Sequence, residues 1–350
     1  MISRRTLLAS AGAALVSRPT GATQPLFVPA EEDRHQRTFM MWPVNRSVHP
    51  DAVFLDILQD TIADIANTIS DFEPVVMLAH PDDQARARQR LSGQVDLWDI
   101  PTEDLWARDA GPLFAKSGDG LVVSHIQFNG WGKKQVHHRD GAVAASVAQQ
   151  LGLRVVASGL IGEAGGVDHD GHGAMIAHES SWVNRNRNPG MGREEVTQRL
   201  LAAYGAERLI WAKGVYDQDI TDYHIDSLAR FTEPGRVLIN LPKTPDPYDP
   251  FHTAALDTYD ALVAAGLSVE AIPEPVQRRV RSVDFVASYA NYYVCNGAVI
   301  AAEFGDPETD QIARDALARH YPGRAVVTLN VDALGEVGGG IHCATQQMPA

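Results

Sequence analysis

The sequence predicts an α/β protein built as a closed ring of five repeated modules, and three observations carry this. A helix followed by a short apolar strand recurs five times, with strand midpoints at Leu97, Val155, Leu209, Val269 and Val326 spaced 54 to 60 residues apart. Three of the modules also contain hairpin-like strand pairs. No glycine-rich nucleotide fingerprint follows any strand, and a doubly wound sheet would join its strands by single helices rather than hairpins.

The elements follow in chain order. Residues 82–91 read as a helix and 95–100 as a strand. Residues 113–115 and 122–128 can pair around Gly118-Asp119-Gly120; the helix at 141–151, stopped by Gly152, leads to a strand at 153–158. A helix at 193–204 leads to a strand at 207–213. Strands at 228–232 and 237–241 flank Glu233-Pro234-Gly235-Arg236, and the helix at 251–265, stopped by Gly266, leads to a strand at 267–272. Residues 291–304 fold about Asn296-Gly297, the strongest short hairpin signal in the chain, which puts Cys295 in a strand. A helix at 307–320 and a strand at 325–330 complete the set.

With 45% hydrophobic and 21% charged residues over 350, the chain can bury a core without metal or disulfide staples. Its formal charge is −14, and residues 1–22 hold three arginines and no acid, leaving −17 on the remainder. Such a surface disfavours nucleic acid and anionic membrane and attracts cations, although solubility alone accounts for it equally well. Residues 1–22 are expected to be a twin-arginine signal: Arg4-Arg5 precede a mildly apolar run, and Thr20 and Ala22 suit a cleavage site. That run is too short to anchor in a bilayer, so a soluble, exported, periplasmic protein is expected, with residues 23–350 as one domain. A homo-oligomer is compatible with this reading. The two cysteines, Cys295 and Cys343, lie in different settings and are expected to be free thiols.

Unusual residues follow each module's last strand. They are Glu103 to Pro112, Glu163 to Gly171, Asp217 to Asp226, Asp284 with Ser288 to Asn291, and Gly338-Gly339-Gly340-Ile341-His342-Cys343 with Gln346-Gln347. In a ring, equivalent loops converge on one axis and build one shared site. Cys343 after three glycines and the distant His224 are a candidate nucleophile and base, although a late cysteine is commonly a buried, inert residue. The carboxylates Asp109, Asp219, Asp222 and Asp226 are too many for an acyl-transfer site and suit a planar cation with paired N–H donors. A guanidinium is such a cation. Asp109 and Asp226 are the candidate clamps, leaving its carbon open to a thiolate while His224 moves protons. The spacing of His224 and Asp226 puts both on one face if they lie on a strand.

Five segments carry a resemblance: 104–112, Phe128-Asn129-Gly130-Trp131-Gly132-Lys133, Asn184-Arg185-Asn186-Arg187-Asn188-Pro189, His224-Ile225-Asp226 and the run from Gly338 to Pro349. Together they resemble the agmatine deiminases and Porphyromonas-type peptidylarginine deiminases of the guanidino-group-modifying superfamily. The resemblance implies the pentein fold, a five-bladed pseudo-symmetric α/β propeller. It also implies Cys343 as nucleophile, His224 as general acid/base, Asp109 and Asp226 as clamps, a covalent thiouronium, and neither metal nor organic cofactor. Trp106, Glu163, Asp168, Asp219, Asn291 and Gly340 are assigned to the substrate pocket, with the three acids among them expected to meet the ammonium of agmatine and disfavour free arginine. Tyr223 stands where the family usually has glycine, and its ring is expected to shorten the pocket. The remaining alternatives are a metal hydrolase using Asp168, His169, Asp170 and His172, and a non-catalytic exported protein that binds cationic guanidines.

Overall fold

The computed structural model describes residues 25–350 apart from 119 and 283. The expected signal segment lies outside the described residues. Five separate small sheets are present, one for each predicted module. The first contains β1 (His35–Met41), β2 (Val75–Ala79) and β3 (Val95–Asp99). Next come β4 (Leu113–Ser117), β5 (Gly120–Gln127) and β6 (Arg154–Ile161), then β7 (Val167–His169), β8 (Ala174–His178) and β9 (Arg208–Ala212). The fourth holds β10 (Ala229–Glu233), β11 (Arg236–Leu241) and β12 (Ser268–Pro273). The fifth holds β13 (Tyr293–Val294), β14 (Ala298–Glu303) and β15 (Ala325–Asn330).

In the last four sheets an antiparallel hairpin is followed, after a helix, by a parallel strand. The first sheet reaches a related arrangement by borrowing β16 (Gln346–Pro349), which pairs antiparallel with β1 and joins the end of the chain to its beginning. All five strand midpoints read from the sequence fall in the parallel edge strands β3, β6, β9, β12 and β15. The doubly wound alternative is excluded, because that fold requires one continuous sheet.

Helix boundaries follow local chemistry. Gly152 and Gly205, in left-handed conformation, end Asp140–Leu151 and Arg193–Tyr204. Asp249 and Asp306 cap Pro250–Ala264 and Pro307–His320 by accepting first-turn N–H groups. These last two helices, and Arg193–Tyr204, each pack on the edge strand of the preceding sheet (β9, β12 and β6 respectively), so helices join neighbouring modules. The helix Ala52–Ser70 and the hairpin β7–β8 are additions to the sequence reading. This helix buries Leu55, Leu58, Ile62, Ile65, Ala66 and Ile69 at three- and four-residue spacing. Cys295, buried and free, sits one residue past β13 in the turn of its hairpin.

Candidate active site

Each of the five loops that follow β3, β6, β9, β12 and β15 delivers a side chain or backbone group to one buried cluster. Asp109 comes from the short helix Ala107–Ala110, Glu163 and Gly165 from the loop after β6, and His224 and Asp226 from the loop after β9. Asn291 precedes β13, and Cys343 lies in the turn after the helix Asp332–Glu336. All of these side chains are buried.

Gly165 marks the centre. A methyl group built on it would lie 2.7 Å from Asp109 Oδ1, 2.9 Å from His224 Nδ1 and 3.1 Å from Asp226 Oδ2. Two carboxylates and an imidazole therefore face one point, and only glycine leaves that point open. The Gly165 N–H donates to Asp109 Oδ1 at 3.2 Å, while Trp131 Nε1 donates to Asp109 Oδ2 at 2.9 Å. His224 Nε2 lies 3.2 Å from Glu163 Oε2, and Nδ1 has no hydrogen-bond partner, being 3.7 Å from Asp109 Oδ1. A buried nitrogen without a partner is costly, and here it points at the space where two clamps meet. His224 and Asp226 share that space through the 3-10 turn Ile225–Ser227 and not along a strand as the sequence suggested.

The candidate nucleophile, Cys343, is held by Asn291. Its Nδ2 donates to Cys343 Sγ at 3.1 Å, and its Oδ1 accepts the Cys343 N–H at 3.3 Å. Gly340 has to be glycine here, because a Cβ would come within 2.5 Å of Asn291 Oδ1. Cys343 Sγ donates to Asp226 Oδ2 at 3.4 Å, and its carbonyl accepts the Arg108 N–H at 3.0 Å. Trp106 packs its ring over Gly339, on the same turn.

Electrostatics follow from burial and crowding of acids. Burial, then the Asp226 and Asp109 carboxylates, push the Cys343 thiol well above its usual range. Burial also raises Asp109, to about 6, with Glu163 and Asp226 adding to it and His224 opposing. For His224 burial works in the opposite direction, but the Asp109 charge and the contact with Glu163 outweigh it and raise the ring to about 9. The cluster thus keeps its imidazole charged and its thiol neutral.

The pocket residues expected from the sequence divide. Trp106, Asn291 and Gly340 adjoin the nucleophile. Glu163 does not stand free for a substrate ammonium: Arg187 Nε donates to its two oxygens at 3.0 and 2.8 Å, and it orients His224 instead. Asp168 is also committed elsewhere, accepting from Arg230 Nε at 2.8 Å and from the Phe231 N–H at 2.5 Å. Asp219 caps its own loop, with Oδ1 accepting from the Tyr223 N–H and Thr221 Oγ1, both at 3.0 Å. In each case a donor supplied by the fold occupies the carboxylate that the sequence reading left unpaired.

The Tyr223 ring does not shorten the pocket. It stacks on His178 with centroids 4.8 Å apart and meets Phe251 edge-on at 5.1 Å, against the apolar cluster around Ile176 and Phe231. Asp222 is buried by Arg187 Nη1 at 2.6 Å and Lys134 Nζ at 2.9 Å. The candidate metal cluster disperses: Asp170 Oδ1 accepts the N–H groups of His172 and Ala174, while Asp168 faces Arg230. Among the described residues no three His, Cys, Asp or Glu side chains are grouped to hold a metal ion.

Two buried residues in contact with this cluster were missed in the sequence. His342 lies between Asp226 and Glu31, with ring nitrogens 2.8 and 2.9 Å from their oxygens. His342 could have been found from its place in the glycine-rich run, whereas nothing in the sequence around Glu31 marks it.

Comparison with known proteins places this geometry. A protein of Streptomyces coelicolor named "Putative agmatine deiminase" is 34% identical over 336 residues, covering 92% of this chain and 98% of the relative. A Streptomyces avermitilis protein of the same name is 33% identical over 349 residues, covering 94% and 99%. Among solved structures, the agmatine deiminase of Enterococcus faecalis superposes with a TM-score of 0.82 at 25% identity, covering 93% of this chain and 96% of that one. The family model of the Porphyromonas-type peptidyl-arginine deiminases matches residues 27–349, a span that holds every side chain of the five-loop cluster, and the chain belongs to that family.

Proposed function

We propose that this deiminase acts on agmatine, or a closely similar ω-amino guanidine, through a covalent intermediate on Cys343. The observation that carries the reading is the convergence of Asp109 Oδ1, His224 Nδ1 and Asp226 Oδ2 on the space beside Gly165, with Cys343 Sγ 3.4 Å from Asp226 Oδ2. A guanidinium placed there meets both carboxylates. It pairs its N–H groups with the two carboxylates and presents its carbon to the sulfur.

The cation also offsets the two carboxylates that hold the thiol proton in place, so the thiolate forms once substrate is bound. Sulfur attacks the guanidinium carbon, one C–N bond breaks, and His224 protonates the departing nitrogen, which leaves as ammonia. The product of this step is a thiouronium with the same charge as the substrate. His224 then takes a proton from water, which attacks the same carbon, releasing the ureido product and the thiol. The proton that the thiol gave up to solvent on substrate binding is taken up by the released ammonia, so the balance is guanidinium plus water giving urea plus ammonium.

The choice of agmatine rests on the names of the relatives and on the engagement of Arg187, in the shared 184–189 motif, by groups of the fold. Arg187 in that motif is buried by Glu163, Asp222 and the Thr221 carbonyl. Repulsion by Glu163 and Asp168 plays no part, because both are paired. The test is ammonia release from agmatine, free arginine and a peptide with C-terminal arginine. Agmatine should exceed both others at least tenfold in kcat/KM, and a preference for either carboxylate-bearing substrate overturns the assignment.

A further inference from the structure

The residue before the nucleophile has a place of its own. His342 Nδ1 lies 2.8 Å from Asp226 Oδ2, and Nε2 lies 2.9 Å from Glu31 Oε2. Glu31 comes from the segment before β1 and is itself surrounded by donors: Arg108 Nη2 at 2.9 Å, Arg230 Nη2 at 3.0 Å and the Val294 N–H at 3.0 Å. Asp226, Glu31 and His342 are all buried. Burial pushes both carboxyls upward, but neighbouring cations more than offset it. Arg230, His342 and Arg108 hold Glu31 well below the usual carboxylate range, and His342, His224 and Arg230 lower Asp226. The His342 ring thus spans two carboxylates, with one nitrogen placed to donate to Asp226 and the other against Glu31.

Asp226 is thereby caught between opposing neighbours. The Asp109 carboxylate lies across the substrate space and disfavours a second negative charge there, while His342 and the Cys343 thiol both meet Asp226 Oδ2 as donors. His342 cannot tilt away without abandoning Glu31, and Glu31 is fixed by donors from three other segments. We propose that His342, anchored by Glu31, is a positioning residue for guanidine hydrolysis: it fixes the Asp226 carboxylate in the plane of the substrate cation and keeps it charged there. The inference rests on Asp226 being a clamp, as in the function proposed above. It adds a carboxylate–histidine–carboxylate chain linking the segment before β1 to the turn that holds Cys343.

Two substitutions separate this role from simple packing. In His342→Asn the amide Nδ2 can occupy the place of Nδ1 and still donate to Asp226, while the contact with Glu31 is lost. In His342→Gln the amide reaches the position of Nε2 and keeps Glu31 but deserts Asp226. Ammonia release from agmatine is measured for both and for the unsubstituted protein across pH, with thermal unfolding run in parallel. The expected result is a loss of at least a hundredfold in kcat/KM for the Gln variant, which has lost the donor to Asp226. The Asn variant should stay within about tenfold of the unsubstituted protein, having kept the donor to Asp226. Equal losses in two folded variants overturn the proposal. If the Gln variant does not fold, an Asn variant that folds but has lost a hundredfold overturns it alone. Absence of turnover by the unsubstituted protein on every guanidine instead removes the reading of the site, and the role of His342 with it.

Discussion

Cys343 Sγ lies 3.4 Å from Asp226 Oδ2 and donates to it, so in the free protein the nucleophile is hydrogen-bonded to a group that suppresses its reactive form. Replacing Asp226 by Asn should therefore have two opposite effects. The thiol should become more acidic, because one of the two carboxylates opposing the thiolate is gone, and the midpoint of its alkylation by iodoacetamide should move to lower pH. Turnover should fall at least a hundredfold, since a charge-assisted contact to a buried cation contributes roughly 3 kcal/mol. The measurement is made in a Cys295→Ser background, so that Cys343 is the one thiol alkylated. An unchanged alkylation midpoint would show that Asp226 does not control the thiol.

The pH dependence of kcat/KM should be bell-shaped. Asp109 is raised to about 6, so its clamp is charged above that value and is lost as pH falls through it. His224 is raised to about 9, so the proton it gives to departing ammonia is present below that value and is lost as pH rises through it. The plateau should lie between these values, and Asp109→Asn should abolish the acidic limb along with most of the activity. A single limb centred near the ordinary histidine value would contradict the assignment of His224 as a charged acid.

Tyr223 has φ +66°, directly after Asp222 at φ +59°, a left-handed pair that side chains rarely adopt. The Tyr223 carbonyl accepts from His178 Nδ1 at 2.7 Å, and the ring stack compensates for the backbone. Tyr223→Gly relieves about 1 kcal/mol of backbone strain and forfeits roughly 2–3 kcal/mol of aromatic packing. Thermal unfolding should show a net loss of about 1–2 kcal/mol, while the agmatine-to-arginine preference stays within about threefold. A tenfold change in preference would return the ring to the substrate pocket.

The twin-arginine segment lies outside the described residues, and export stands as our proposal. Replacing Arg4 and Arg5 together with Lys should leave uncleaved precursor in the cytoplasm, measured by fractionation and the mass of the retained chain. Normal processing of the double variant would exclude that route.

The five-module plan was legible because each parallel edge strand follows a helix with an evident stop or cap: Gly152, Gly205 and Asp306 show it well. The convergence of Asp109, His224, Asp226 and Cys343 was legible because their residue types suit one chemistry and their loops occupy equivalent places in the repeat. The partners of Glu163 and Asp168 were not. Arg187 is 24 residues from Glu163 and Arg230 is 62 from Asp168, and only tertiary packing decides which carboxylates are neutralised and which remain for substrate. Sequence position likewise could not say that Tyr223 turns toward His178, because a left-handed residue reverses the expected direction of its side chain. The first sheet was partly hidden, since β1 is completed by β16 from the far end of the chain.

The central claim is that Cys343 performs the chemistry, and comparing ammonia release from agmatine by the unsubstituted protein, Cys343→Ser and Cys295→Ser tests it most directly. The account predicts stoichiometric ammonia and ureido product from the unsubstituted protein, substantial activity in Cys295→Ser, and none above background in a folded Cys343→Ser, whose hydroxyl cannot replace the thiolate. Sustained turnover by Cys343→Ser would contradict it.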